Sequence, residues 1–545
     1  MSAAALVIGA GGLSDSEAFG TTAGEETAAG YGRINVVFIL DGLRPDSINV
    51  EDTPNIHRLR EQGVDFVNSH AVVPTVTRVN SASLSTGAHP GTHGVVGNSM
   101  YVPEVKSTGA FSTDDANNLL DLGEQAGRVT LSATLGEMLE ERGKKVVTIG
   151  SGSSGSSLLL NPEAQNGSAG VMVNAEDPAK DTPLAFPSEV GEQILERFGP
   201  PPGKEGVENY NASVDYATQV LNDYLLGELE PDVVFFWMTE ADHTQHDLGA
   251  GSPEAIETIC NDDRNLGEVL ARLEELELAP NVFVISDHGF SLTSFKVNLG
   301  QELIDAGLKS DPESDDVVVA ETGSALIYVK DRDPESIQEI VSFLQQQEWA
   351  SALYTATVRP SNGQYEPPAS EDVGEIEQGW VEGTFSLELI HEANPERGAD
   401  ILVTFPWSSG PNEFGVPGTA YFASGDDPTG SQDGPASNHG SFSPWDVRNT
   451  FIASGLNFKN GATVHLPAGN VDIAPTLLAL EGIDDGPSLD GRVLYEALHG
   501  GPDEEQVPTQ TRMITTEASQ GAYKAAIQVS EVGDRRYIDK SWLMP

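Results

Sequence analysis

The sequence predicts an α/β protein: a mostly parallel central sheet with helices on both faces, plus an inserted cap region. Short apolar runs bounded by turn residues recur along it, at Val36 to Leu40, Val146 to Gly150, Val233 to Met238, Val282 to Ser286 and Ile401 to Phe405. Stretches of helical periodicity lie between and beyond these runs, and alternating strands and helices build a parallel sheet covered on both sides. Carboxylates also stand at the ends of three of the runs: Asp41 after VVFIL, Asp242 after VVFFWMTEA and Asp287 after VFVIS. Ligands of parallel sheets bind beyond the carboxyl ends of the strands, so three acids distant in the chain should meet at one edge.

In chain order, AAALVIGAGGL at 3 to 13 has the apolar character of an export signal but lacks the basic residues that precede one. Residues 14 to 30 read as a flexible acidic linker. An apolar start plus a linker points to an extracellular or cell-envelope location, with a disordered cytosolic tail as the alternative. Helices are predicted over Pro54 to Gln62 with Thr53 as N-cap, Ala133 to Arg142, Asn211 to Leu226, Ala255 to Leu276 and Val471 to Glu481. At 545 residues the chain exceeds what one hydrophobic core supports. The expected division is a leader and linker over 1–30, a catalytic core over 31–300 and 435–545 with C-terminal strands, and an insertion over 301–434. The insertion carries a strand-helix-strand pattern (Ala325 to Val329, Pro334 to Gln347, Ala352 to Val358). A Gly/Pro/Asp-rich stretch from 408 to 437 is read as a long loop delivering His439.

The residues that carry chemistry are one hydroxyl and a set of acids and imidazoles. Thr77 sits in PTVTRVN ahead of Ser81 to Ser85, which reads as the start of a helix. A hydroxyl at a helix N-terminus lies beside free N–H groups suited to an anionic phosphate. By itself it would more often be a cap or turn residue. Asp242 and His246 are spaced i, i+4, which puts both on one face of a helix. His243 between them reads as solvent-facing or supporting. Asp287 and His288 are adjacent before Gly289, where the backbone can turn so that both reach one cation. His439 follows in Asn-His-Gly. With Asp41, these are enough ligands for two divalent metal ions, and a paired-metal site beside a hydroxyl is chemistry for displacement at phosphorus. Of the other histidines, His93 in GTHGVVGN is the one expected to support the site.

These pieces stand in an order that resembles the nucleotide pyrophosphatase/phosphodiesterase branch of the alkaline phosphatase superfamily, from about residue 34 to about residue 500. They are a strand then Asp41-Gly42, TPNIHRLREQGV, the Thr in Pro-Thr-x-Thr-x-x-Asn, a His-Pro-x-x-His-Gly-Val-Val-Gly-Asn run ending at Asn98, Asp-x3-His, Ser-Asp-His-Gly, the late His-Gly, and VDIAPTLLALEGI with LDGRVL. The resemblance implies an alkaline-phosphatase-like three-layer sandwich. It also implies two zinc ions, one held by Asp41, Thr77, Asp287 and His288 and the other by Asp242, His246 and His439. Thr77 would be the nucleophile, passing through a phosphothreonine intermediate, with Asn98 and the backbone N–H of Arg78 contacting a phosphate oxygen. The implied activity is hydrolysis of a small phosphate ester, first a phosphodiester or nucleotide pyrophosphate. Phosphomonoester, phosphonate or phosphomutase chemistry and a non-catalytic binding protein remain the alternatives. One departure stands out. Where nucleotide-cleaving members carry Phe-Pro between Thr and Asn, this chain has Arg78-Val79, which removes an aromatic surface for a nucleobase and offers a guanidinium to an anion.

Composition excludes several functions. Cys260 is the single cysteine, so there is no disulfide framework, no Cys-rich metal site and, in its TICNDDR setting, no sulfatase-type nucleophile. No apolar run is long enough to span a membrane. With 29 basic against 84 acidic residues the net charge is 29 − 84 = −55, and without a basic stripe the chain is not expected to bind nucleic acid as a scaffold. A charge this negative, spread along the chain, repels its own compact state unless salt screens it. The composition is therefore read as halophilic. The denaturation midpoint should rise steeply from dilute buffer to molar KCl; a protein equally stable and active in dilute buffer would refute that reading.

Overall fold

The computed structural model describes residues 32–176, 181–203, 207–361, 363–365, 376–423, 436–483 and 489–545. The predicted leader and linker lie outside the described residues, as does 424–435 of the expected loop. A nine-stranded sheet runs in the order Ala462–Val464, Val64–Phe66, Phe451–Gly455, Leu278–Ile285, Gly32–Leu40, Val233–Met238, Val146–Gly150, Val171–Asn174 and Ala185–Phe186. All strands run in one direction except Phe451–Gly455 and Ala185–Phe186, which pair antiparallel with their neighbours. The predicted mostly parallel sheet is therefore observed.

Side-chain alternation sorts the sheet's residues between two cores. Val36, Phe38 and Leu40 join Phe236, Met238 and Val284 against Ala217, Leu266, Val269 and Leu273 of the helices Val207–Val220 and Pro253–Glu275. Val37 and Ile39 join Phe235, Trp237, Phe283 and Ile285 against Leu84, Leu139 and Leu477 of the helices Thr77–Thr86, Leu135–Glu140 and Ile473–Leu480. The sheet thus lies between two helical layers, and its strands read as continuous apolar runs because both faces are buried. Local signals set the helix ends. Thr134 and Glu137 form a reciprocal capping box, and Ser252 caps the long Pro253–Glu275 helix by accepting from Ala255 N–H.

Two expectations need correcting. Ile401–Val403 is a strand but not of the central sheet. It pairs antiparallel with Ser324–Val329 and Leu353–Thr355 in a separate five-stranded sheet covered by the helix Pro334–Leu344. An apolar run shows that a strand is buried, not which sheet buries it. The stretch from 408 is also not simply a loop. Trp407–Pro411 and Pro417–Ala423 pair in a four-stranded sheet with Ser291–Val297 and Ser437–Asn438. Its glycines and prolines mark a hairpin turn, and Ser437–Asn438 is itself the strand that delivers His439. The chain closes in a three-stranded antiparallel sheet, Thr509–Ala518, Tyr523–Val532 and Arg535–Leu543. No helix among the described residues is long and apolar enough to cross a membrane.

A candidate two-metal site

Strand register delivers the first two carboxylates. Ile39 is paired with Ile285 in adjacent parallel strands, so two residues further on Asp41 and Asp287 emerge side by side on the same sheet face. Both are buried. Trp237, on that face of the next strand, donates its Nε1–H to Asp41 Oδ2 at 3.1 Å, and the Gly42 N–H donates to Asp287 Oδ1 at 3.0 Å. Gly42 can do so because its φ is +67°, and a Cβ there would lie 2.5 Å from the Phe290 ring. His288 turns back as the Gly289 step allows. Its Nε2 lies 3.0 Å from Asp287 Oδ2, 3.6 Å from Asp41 Oδ1 and 3.2 Å from Thr77 Oγ1.

The second group forms across three elements. The helix Asp242–Leu248 places Asp242 and His246 on one face with Nε2 3.4 Å from Asp242 Oδ1, and His439 Nε2 approaches the same oxygen to 3.6 Å. The His288 and His439 rings stack at 3.6 Å between centroids and so join the two groups. Asp242, His246 and His439 offer ligand atoms all within 4.8 Å of one another, and so do Asp41, Asp287 and His288.

Each imidazole is oriented in the same way. Nδ1 of His246 meets the Ser437 carbonyl, that of His439 the Thr75 carbonyl and that of His288 the Gly289 carbonyl, all at 3.0 Å. A carbonyl only accepts, so each Nδ1 donates to its carbonyl and each Nε2 is turned toward the carboxylates. The acids are equally exposed to one another. Asp41 Oδ1, Asp242 Oδ1 and Asp287 Oδ2 are buried with no hydrogen-bond partner. Burial drives the Asp41 carboxyl well above the usual range, and Asp287 and Asp242 push it the same way. Burial also works to raise Asp242, but the imidazoles of His246 and His439 overcome it and hold that carboxyl low. Unpartnered carboxylate oxygens and imidazole Nε2 atoms converging in this way are a set of nitrogen and oxygen ligands, which fits divalent cations.

Thr77 opens the helix Thr77–Thr86, which starts there and not at Ser81 as the sequence implied. Small side chains let this buried helix lie close to Ser154–Leu160, where Ser81 and Ser85 donate to the carbonyls of Ser156 and Leu159 at 2.8 and 2.7 Å. Asn98 Oδ1 accepts the Arg78 N–H at 3.0 Å. The two groups expected to meet a phosphate oxygen therefore also meet each other, which leaves the Asn98 Nδ2 amide free to donate. The Arg78 guanidinium lies toward Ser153 Oγ at 3.3 Å and Asp114 Oδ1 at 3.6 Å. His243 stacks on Tyr210 and pairs with Glu240. His93 bonds Ser83 Oγ and Val95 N–H, bracing the Thr77 helix from behind.

Sequence reading missed the groups that hold these residues in place. Thr75 Oγ1 accepts from Gly440 N–H and donates to the Ser441 carbonyl, tying the His439 turn to the turn that bears Thr77. Asn470 donates to the Asp287 carbonyl and to Asn80 Oδ1, both at 2.9 Å. Trp237 was legible, since alternation places it on the Asp41 face; Asn470 had no signal of its own.

Comparison with known proteins adds to this geometry. The family model described as type I phosphodiesterase / nucleotide pyrophosphatase matches residues 35–381. Venom phosphodiesterase 2 of Crotalus adamanteus is 26% identical over 262 residues, covering 47% of this chain and 26% of that protein. Human ectonucleotide pyrophosphatase/phosphodiesterase family member 1 is 25% identical over 269 residues, 48% of this chain and 24% of the relative. The chain thus spans about a quarter of the length of the curated relatives it matches. Human ectonucleotide pyrophosphatase/phosphodiesterase 5 superposes with a TM-score of 0.55 at 18% identity, covering 86% of this chain and all of that one (100%), and this likeness carries the alkaline-phosphatase-like fold alone. The murine protein, solved as an inactive form in complex with AMP, gives a TM-score of 0.54 at 17% identity over 84% of this chain and 96% of that one.

If Trp237 fixes Asp41 as a ligand, Trp237→Phe should weaken divalent-metal binding about 10- to 100-fold in a chelator competition while the far-UV spectrum is unchanged. Unaltered affinity would show that the indole only packs.

Proposed function

We propose that this chain, which belongs to the type I phosphodiesterase / nucleotide pyrophosphatase family, is a two-metal hydrolase of small phosphate esters, acting first on phosphodiester or nucleotide pyrophosphate bonds. The observation that carries the reading is the set of three unpartnered buried carboxylate oxygens facing three oriented imidazoles beside the Thr77 hydroxyl. Asp41, Asp287, His288 and the Thr77 oxygen would hold one zinc ion, and Asp242, His246 and His439 the other. Such cations supply a lowered pKa for a coordinated hydroxyl and neutralise charge on the leaving oxygen.

This chain's own residues do the rest. Thr77 attacks phosphorus, the bond to the leaving oxygen breaks, and a phosphothreonine remains until water hydrolyses it and restores the hydroxyl. The first turn of the Thr77 helix would direct its backbone N–H groups at the phosphoryl oxygens, the Arg78 N–H being held by Asn98 Oδ1, and Asn98 Nδ2 would add a side-chain donor. The buried carbonyl partners of the three histidines keep Nε2 in place through the cycle. The proposed division of the chain keeps 31–300 and 435–545 as the catalytic part and 301–434 as a cap. The words venom and ecto in the relatives' names support export of this protein as well.

Thr77→Ala should abolish turnover of p-nitrophenyl phosphate, bis-p-nitrophenyl phosphate and p-nitrophenyl thymidine monophosphate, assayed in molar salt, while metal content stays largely intact. A chelator should abolish turnover in the unaltered protein. Activity surviving either treatment would refute the assignment.

A further inference from the structure

The His288 and His439 rings stack across the boundary between the two ligand groups, yet they arrive from distant turns of the chain. Asp446 touches both turns. It lies in the one-turn helix Pro444–Val447, which Ser443 Oγ caps by accepting from the Trp445 and Asp446 N–H groups. Its main-chain carbonyl accepts the Gly289 N–H at 2.8 Å, and the Gly289 carbonyl in turn orients His288. Packing there is close: a Cβ on Gly289 would lie 2.0 Å from the Trp445 carbonyl oxygen. On its other side the Asp446 carboxylate reaches the turn after His439. Oδ2 accepts the Ser441 N–H at 3.0 Å and the Ser441 hydroxyl at 2.5 Å, and Oδ1 accepts the Ser291 hydroxyl at 2.5 Å.

Asp446 is wholly buried, with Ser291, Ser441 and Ser443 buried around it. A carboxylate out of reach of water is costly unless its oxygens are met, and three donors meet this one, so its place is fixed. Its two links differ in kind. The link toward His288 runs through backbone atoms and survives a change of side chain. The link toward His439 runs through the carboxylate and is lost with it. Ser441 also takes the Thr75 hydroxyl on its carbonyl, and the Thr75 carbonyl holds His439 Nδ1, so Ser441 is the point through which the carboxylate acts on that imidazole.

Resting on the two-metal reading above, we infer that Asp446 is a positioning residue that holds His439 in place through Ser441, and so sets the affinity of the cation site of Asp242, His246 and His439 but not that of Asp41, Asp287 and His288. Divalent-metal affinity is measured by chelator competition on the full-length chain in two backgrounds: Asp287→Asn, which isolates the first of these sites, and His246→Ala, which isolates the second. Adding Asp446→Ala should weaken binding about tenfold or more in Asp287→Asn. In His246→Ala it should change binding by no more than about twofold. Asp446→Asn should recover most of the loss, because an amide oxygen can still accept both Ser441 donors, and the Ser291 hydroxyl can turn its hydrogen to Ser443 Oγ, 3.2 Å away. Ser441→Ala should act in the same direction as Asp446→Ala, and the same comparison made with it decides the question if Asp446→Ala does not fold. An equal loss in both backgrounds, which a merely structural role would give, or no loss in Asp287→Asn, would overturn the inference and leave the two-metal reading standing. Failure of the unaltered chain to bind any divalent metal would instead overturn the reading on which the inference rests.

Discussion

Three carboxylates and three imidazoles converge in two adjoining groups, and unpartnered acid oxygens in these groups lie close to imidazole Nε2 atoms. Taking an ion out of water costs on the order of several kcal/mol even after the protein relaxes, and like charges add to that cost. Divalent cations change the sign of the arrangement, because every outward lone pair then becomes a ligand bond. The rest of the site's architecture follows from holding those lone pairs convergent. Each histidine is held through Nδ1 by a backbone carbonyl, so its Nε2 stays turned toward the acids.

The scaffold meets this demand with few devices. Parallel register sets Asp41 and Asp287 side by side, one helical turn aligns Asp242 with His246, and the short strand Ser437–Asn438 supplies both the carbonyl for His246 and the approach to His439. The five-stranded sheet contributes directly. Gly323, in the tight turn between Val317–Thr322 and Ser324–Val329, lies so close beneath His439 that a Cβ would sit 2.1 Å from its carbonyl oxygen. The five-stranded sheet therefore buttresses the late histidine, although it lies outside the central sheet.

The acids and histidines that the structure brings together were legible in the sequence because each obeys a local rule: an acid just past an apolar strand, a helical i, i+4 pair, a histidine before glycine. What could not be read was which sheet a strand joins, since Ile401–Val403 is as apolar as the central strands and only long-range pairing distinguishes it. The hairpin at Trp407–Ala423 was hidden by glycine and proline, which mark turns within a sheet as readily as loops outside one. The supporting contacts of Thr75 and Asn470 depend on partners hundreds of residues away and leave no trace in local pattern.

The central claim is that two cations, held by two separate residue groups, complete this pocket. Elemental analysis of the purified full-length chain after dialysis tests it most directly, alongside the variants His246→Ala and Asp287→Asn. The account predicts two tightly held divalent metals per chain and the loss of one in each variant. A chain that folds and holds none, or variants that keep the full complement, would contradict it.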